Sequence, residues 1–385
     1  MRFSEDYFLL KEHFTLDAEE ITLPGSDIII NNYDFEATPP SSANKSDEKS
    51  DLEQDLPNSE FTFRYSIFSK ADSEPSSKAI LLLLGLNEKQ SDKYLCWAKS
   101  LVETTNKPVI LFPVLFPIGR NWNKLQERRV NSISKNKNGL FQSSTKTIEN
   151  KLVLSQRLKD LPERVTISGF RSIVDIVKLT AELNEGNHPL FKPGTSVDIF
   201  GYSIGAFIAQ VILLANPRNL FEKSKFLLFC GGSFFNKIIA NSRISMDALA
   251  FKKLQTFYDR EIREKYAHAK KYLDSLSFEN INLAFKTMLS AEKFKRFREK
   301  MFKQFSNQIH AIALVKDSFM APEHIYSSLR GEGGIIPVSI NVLDYPYAYT
   351  HETPFPIGND PEKNSTIDSC FNSTFTMVAN FLRDR

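Results

Sequence analysis

Val197-Asp198-Ile199-Phe200-Gly201-Tyr202-Ser203-Ile204-Gly205-Ala206-Phe207-Ile208-Ala209-Gln210-Val211 decides how the rest of the chain is read. An apolar run leads into Gly-x-Ser-x-Gly, and a second apolar run of helical character follows. That is strand, sharp turn, helix. Such a turn holds Ser203 at its tip in a tight backbone conformation, with the hydroxyl exposed. Strand and helix close on each other at Gly201 and Gly205, where a Cβ would clash, which explains both glycines. The start of the helix also aims free N–H groups at whatever is bonded to Ser203, favouring an oxyanion there. Lacking the strand before and the helix after, the same serine would be an ordinary turn residue.

Working outward, apolar runs and helical patterns alternate. Residues 27–31 and 61–68 read as an antiparallel edge hairpin. Between them, residues 35–60 carry seven acids and two lysines, about −5, with almost nothing to bury. Residues 78–84 and 108–113 are continuously apolar, as expected of strands buried on both faces. Residues 94–105 and 170–183 read as helices, the second with Ile173, Ile176, Val177 and Thr180 on one stripe. The helix after Ser203 is stopped by Asn216-Pro217. Strands are expected at 225–230, 310–317 and 337–343, with helices at 322–329 and 374–382; Pro322 suits a first helical position. Residues 243–308 hold almost no Gly or Pro and read as helical throughout, too long for a crossover. The expected organisation is an edge segment at 1–60 with its acidic excursion, an α/β core at 61–242 and 309–385, and a helical cap at 243–308. The fold class is α/β: a three-layer α/β/α sandwich on a mostly parallel sheet.

Composition narrows the function. The chain has 385 residues, is 42% hydrophobic, and carries a formal net charge of +3, too small to argue for nucleic acid. Cys96, Cys230 and Cys370 are widely spaced, which gives neither a disulfide framework nor a metal pattern. Phosphate-loop, dinucleotide and His-Glu-x-x-His motifs do not occur, so no cofactor and no metal are expected. Met1 to Leu10 has no apolar core of signal length, and no run of about 18 apolar residues exists. A cytoplasmic protein without a membrane span is the expectation.

A serine near neutral pH needs a base within hydrogen-bond reach, and the base needs a group to orient it. Functional groups on an open parallel sheet gather at the carboxyl ends of the strands. Asp317 ends the strand expected at 310–317, and His351 lies in the loop Tyr349-Thr350-His351-Glu352-Thr353-Pro354 after the last strand. Asp344 is a rival acid, seven residues before His351 on the same strand end. His13, His188, His268, His310 and His324 have ordinary structural readings.

The Gly201–Gly205 turn, with Asp317 and His351 in the order nucleophile, acid, base, resembles the α/β-hydrolase superfamily from about residue 61 onward. The resemblance implies an eight-stranded sheet with the serine turn after strand five and a cap inserted after strand six. It implies Ser203, Asp317 and His351 as a catalytic triad, and backbone N–H groups of Ile204 and of Leu86 or Asn87 as the oxyanion hole. Two features depart from it. Leu84-Gly85-Leu86-Asn87-Glu88 lacks the His-Gly-rich oxyanion loop of many lipases, and about twenty residues separate His351 from the expected closing helix.

The expected activity is serine-dependent hydrolysis of a small ester-like substrate. An acyltransferase on the same residues, or a non-catalytic binding domain of the same fold, are the alternatives. Phe294, Phe297, Met301 and Phe305 form a stripe that either packs the cap or walls an acyl pocket. Residues 118–160 carry ten basic and three acidic side chains, and residues 251–305 carry fourteen and seven. If both overhang the site, they favour an anionic substrate with an apolar part.

Overall fold

The computed structural model describes residues 2–37, 62–85, 92–114, 162–235, 237, 275–289, 292–331 and 333–383. The described elements are α1 (Phe3–His13), β1 (Glu20–Thr22), β2 (Ile28–Glu36), β3 (Thr62–Lys70), β4 (Ser76–Leu83), α2 (Asp92–Thr105), β5 (Val109–Phe112) and α3 (Pro162–Glu185). There follow β6 (Phe191–Tyr202), α4 (Ile204–Ala215), β7 (Phe226–Phe229), α5 (Ser275–Leu289), α6 (Lys295–Gln304), β8 (Ile309–Leu314), α7 (Pro322–Leu329), β9 (Ser339–Leu343) and α8 (Pro361–Leu382).

Side chains alternate faces along a strand, so a continuously apolar strand feeds two cores at once. Ala79, Leu81 and Leu83 of β4 join the core closed by α3, α4 and α5, while Ile80 and Leu82 join the one closed by α1, α2 and α8. The same division runs through β5, β6, β7 and β8. The result is the expected three-layer α/β/α architecture.

Among the described residues nine strands line up in the order β1-β2-β3-β5-β4-β6-β7-β8-β9. β1, β2, β3 and β5 pair antiparallel in succession, and β4 pairs parallel with both β5 and β6. From there to β9 all pairing is parallel. The hairpin of β2 and β3 is present, but the three-residue β1 lies outside it and forms the true edge. Setting β1 aside, β6 is the fifth of eight strands, the place expected for the serine turn. The chain steps from β4 to β5 on one side and then to β6 on the other. In open α/β sheets such a reversal of order marks the place where ligands bind, at the carboxyl ends of the strands, here those of β4 and β6.

One expectation changes. The closing helix starts at Pro361, not 374: Asp360 caps it, accepting from the N–H groups of Glu362 and Lys363 at 3.1 and 3.3 Å. The gap after His351 is thereby halved. The described part of the segment expected as a helical cap is α5 and α6. α5 packs along α4, burying Phe278, Ile281, Phe285 and Met288, and α6 buries Phe302 in the same core. Those apolar faces close the sheet's own layer, so α5 and α6 belong to the β7-to-β8 crossover. Met301 of α6 and Phe305 just after it are half-buried against this core, whereas Phe294, just before it, is exposed at 48%. The basic segment 118–160, the acidic excursion from 38 onward, and residues 243–274 lie outside the described residues.

Candidate active site

β6 ends at Tyr202 and α4 begins at Ile204, leaving Ser203 alone to turn the chain. Its φ of 56° and ψ of −117° are a strained combination for a residue with a side chain. Two glycines let the turn form. A Cβ on Gly201 would lie 2.6 Å from the backbone of Ala206, and one on Gly205 would lie 2.4 Å from the carbonyl oxygen of Leu83 in β4. The N–H of Ser203 donates to the carbonyl of Phe229 at 3.1 Å, tying the turn to the end of β7. Ile204 opens α4, so its N–H has no partner within the helix and faces the turn.

Ser203, Asp317 and His351, far apart in sequence, come together. Ser203 Oγ is 2.6 Å from His351 Nε2, and His351 Nδ1 is 2.7 Å from Asp317 Oδ2. Asp317 lies in the turn three residues beyond β8, and its Oδ1 accepts from the N–H groups of Phe319 and Met320 at 2.9 Å each. Burial alone would push this carboxyl up; the charge and hydrogen bond of His351 and the two backbone N–H groups outweigh it and hold it below the usual aspartate value. The expected surface position of the turn is not what forms. Ser203 is 2% exposed and His351 9%, with the imidazole against the hydroxyl.

Asp344 is not part of this group. It sits at the surface, 49% exposed, pairs with Lys316 at 3.0 Å and accepts from Tyr349 Oη at 3.0 Å. His188 and His310 are enclosed by aromatic neighbours, Tyr33 and Phe191 for the first and Phe381 for the second. Burial lowers both imidazoles, His188 to about 4. His13 bonds to the carbonyl of Leu9 within α1, His324 lies in the first turn of α7, and His268 falls outside the described residues. Leu86 and Asn87, expected as oxyanion donors, also fall outside them. The described chain stops at Gly85, whose N–H donates to Tyr94 Oη at 2.8 Å.

Several contacts had no sequence signal. Tyr202, read only as the variable residue of the motif, donates its hydroxyl to the carbonyl of His351, and its ring lies nearly parallel to the imidazole, 5.6 Å between centroids. Phe319 packs against the imidazole too, tilted, with 4.8 Å between centroids. Only the topology, which sets the end of β6 beside the loop after β9, could reveal them. Among the described residues no three His, Cys, Asp or Glu side chains gather as a metal site, and no helix is long and apolar enough to cross a membrane.

Solved structures similar to the chain include several esterases. One, from Pseudomonas putida ECU1011, shares 9% identity over 99% of this chain and 89% of that one, with a TM-score of 0.47. Brefeldin A esterase, described as a bacterial homologue of human hormone-sensitive lipase, shares 10% over 99% and 85%, with a TM-score of 0.44. An esterase of Pyrobaculum calidifontis shares 11% over 99% and 90%, with a TM-score of 0.43. Likeness at this level carries no chemical inference. A search of curated proteins found no match. A family model does match, over residues 1–383, and the chain belongs to that family, a family of unknown function designated DUF6051.

Proposed function

We propose that this protein is a serine hydrolase of the α/β-hydrolase type, cleaving ester-type acyl bonds through an acyl-enzyme. The observation that carries the reading is the unbroken hydrogen-bonded line from Ser203 Oγ through both imidazole nitrogens of His351 to Asp317, at 2.6 and 2.7 Å. A base within hydrogen-bond reach of a hydroxyl, itself oriented by a buried carboxylate, is the arrangement that turns serine into a nucleophile.

In this reading His351 Nε2 takes the Ser203 proton as Oγ attacks the acyl carbon. Asp317, receiving the Nδ1 proton's hydrogen bond, fixes the tautomer and stabilises the imidazolium. The tetrahedral oxyanion sits at the start of α4, against the Ile204 N–H, with Leu86 or Asn87 as second donor. His351 then returns its proton to the leaving alcohol, and water, activated the same way, cleaves the acyl-enzyme. Asp317 accepts three hydrogen bonds and stays ionised, so it holds the ring rather than competing for its proton.

The test is turnover of a series of p-nitrophenyl esters of increasing acyl length by wild type and Ser203→Ala. The wild type should hydrolyse at least the best-fitting member, and Ser203→Ala should lose this at unchanged thermal stability. Wild-type turnover by folded Ser203→Ala refutes the serine mechanism.

A further inference from the structure

His351 sits in a loop without regular structure. The loop's internal bonds link Thr350 and Thr353: Thr350 N–H to the Thr353 carbonyl at 3.4 Å, Thr353 N–H to Thr350 Oγ1 at 3.2 Å, and the two threonine hydroxyls at 2.9 Å. A histidine there keeps its place between Ser203 and Asp317 only if the loop's backbone is held from outside. Two side chains hold it at adjacent carbonyls. Tyr202 Oη donates to the carbonyl of His351, and Lys93 Nζ donates to the carbonyl of Glu352 at 2.7 Å.

Lys93 and Tyr94 are consecutive in the first turn of α2, so their side chains leave the helix about 100° apart and reach different segments. Lys93 reaches the His351 loop, and its ammonium lies 4.5 Å from the centroid of the Tyr202 ring and 4.9 Å from that of Tyr94. Tyr94 reaches the chain leaving β4, accepting from Gly85 N–H at 2.8 Å, and meets the Tyr202 ring edge-on at 5.9 Å. Trp97, one turn further along, packs edge-on against Tyr202 at 5.1 Å. One helical turn therefore touches the serine turn, the histidine loop and the strand end that faces Gly205.

We propose that the first turn of α2 is a brace for the catalytic groups, in which Lys93 and Tyr202 together position the His351 loop and Tyr94 fixes the chain leaving β4 against the serine turn. The inference rests on the serine-hydrolase reading for its effect on rate, but its structural part does not. Lys93 acts through Glu352 and Tyr202 and does not itself meet Ser203, so it is a positioning residue. Displacement of a catalytic group by about 1 Å costs on the order of 10²-fold in rate.

The experiment compares Lys93→Met, Lys93→Arg and Tyr202→Phe with wild type by two readouts. The first is ester turnover per active site, titrated with a fluorophosphonate. Lys93→Met and Tyr202→Phe should lower kcat about 10- to 100-fold with KM within about two-fold, and Lys93→Arg, which keeps a donor for the Glu352 carbonyl, should recover most of the loss. The second is hydrogen exchange of the amides of residues 350–353, which should quicken in Lys93→Met and Tyr202→Phe while the central strands exchange as in wild type. Unchanged exchange in the loop overturns the brace. Faster exchange with wild-type kcat overturns its role in positioning. A wild type without ester turnover would remove the hydrolase reading alone, and exchange would still decide whether Lys93 and Tyr202 hold the loop.

Discussion

Asp317 and Asp344 were the two acids in reach of His351 by sequence, and their surroundings separate them. Asp317 is buried, accepts at both carboxylate oxygens, and is held below the usual aspartate value against the opposing effect of burial. Asp344 is half-exposed and paired with Lys316. Asp317→Asn should lower kcat by ~10⁴ by favouring the wrong imidazole tautomer, and Asp344→Asn should change it by no more than a few-fold. Equal effects, or a larger one at Asp344, would contradict the assignment. The sign of the Asp317 shift also sets its link to stability. A carboxyl depressed in the folded state stabilises it above the unfolded value of about 3.9, and that contribution is lost as pH falls through the lower folded value. Ser203, Asp317 and His351 were legible because residue type and chain order restrict the choice. Tyr202 and Lys93 were not, since donation to a backbone carbonyl leaves no pattern in sequence.

The turn between β6 and α4 depends on close backbone approach. Gly205→Ala would put a Cβ 2.4 Å from the Leu83 carbonyl oxygen, with the Leu83 carbon and Leu84 oxygen each at 2.8 Å. No flexible side chain can yield there, so the cost should reach the top of the overpacking range, about 3 kcal/mol or more. Gly358→Ala, where no atom lies within 4 Å of the added carbon, is the control and should be nearly neutral. Denaturant unfolding of both variants checks this; equal stability would contradict the close approach. Most elements could be read from periodicity. α1 could not: it buries only Phe3 and Leu10, Arg2 before it makes no side-chain cap, and its start is instead held by Asp368, which accepts from the Ser4 N–H at 2.7 Å. The early start of α8 was legible in principle, because Asp360 followed by Pro361 is a helix-start signal that a weakly periodic first half obscured.

At the scale of the whole molecule, three central strands and the closing helix are tied by one buried pair. Lys107 Nζ lies 3.0 Å from Asp198 Oδ2 and also donates to the Leu382 carbonyl of α8 at 2.6 Å. Asp198 Oδ1 accepts from the Lys225 N–H at 2.8 Å. Entry to β5, the middle of β6, entry to β7 and the end of α8 thus meet at two side chains only 5% and 4% exposed. Removing one member of such a pair leaves a buried charge unmatched, so Lys107→Met should cost about 3–5 kcal/mol in chemical denaturation, with ester turnover of the folded fraction unchanged. A loss below about 1 kcal/mol would show that the pair is not what joins these elements. The layered architecture was legible because apolar runs and helical patterns alternate along the chain. The extra strand β1 was not, because three residues carry too little pattern, and length alone does not say how a long helical insertion such as that holding α5 and α6 packs.

The central claim is that Ser203 is a nucleophile. Its most direct test is intact-mass and peptide mass spectrometry of the protein after exposure to a fluorophosphonate. One adduct per chain, on Ser203, is the expected result, absent in Ser203→Ala and strongly slowed in His351→Ala. A folded protein that stays unlabelled, or carries its label on another residue, would contradict it.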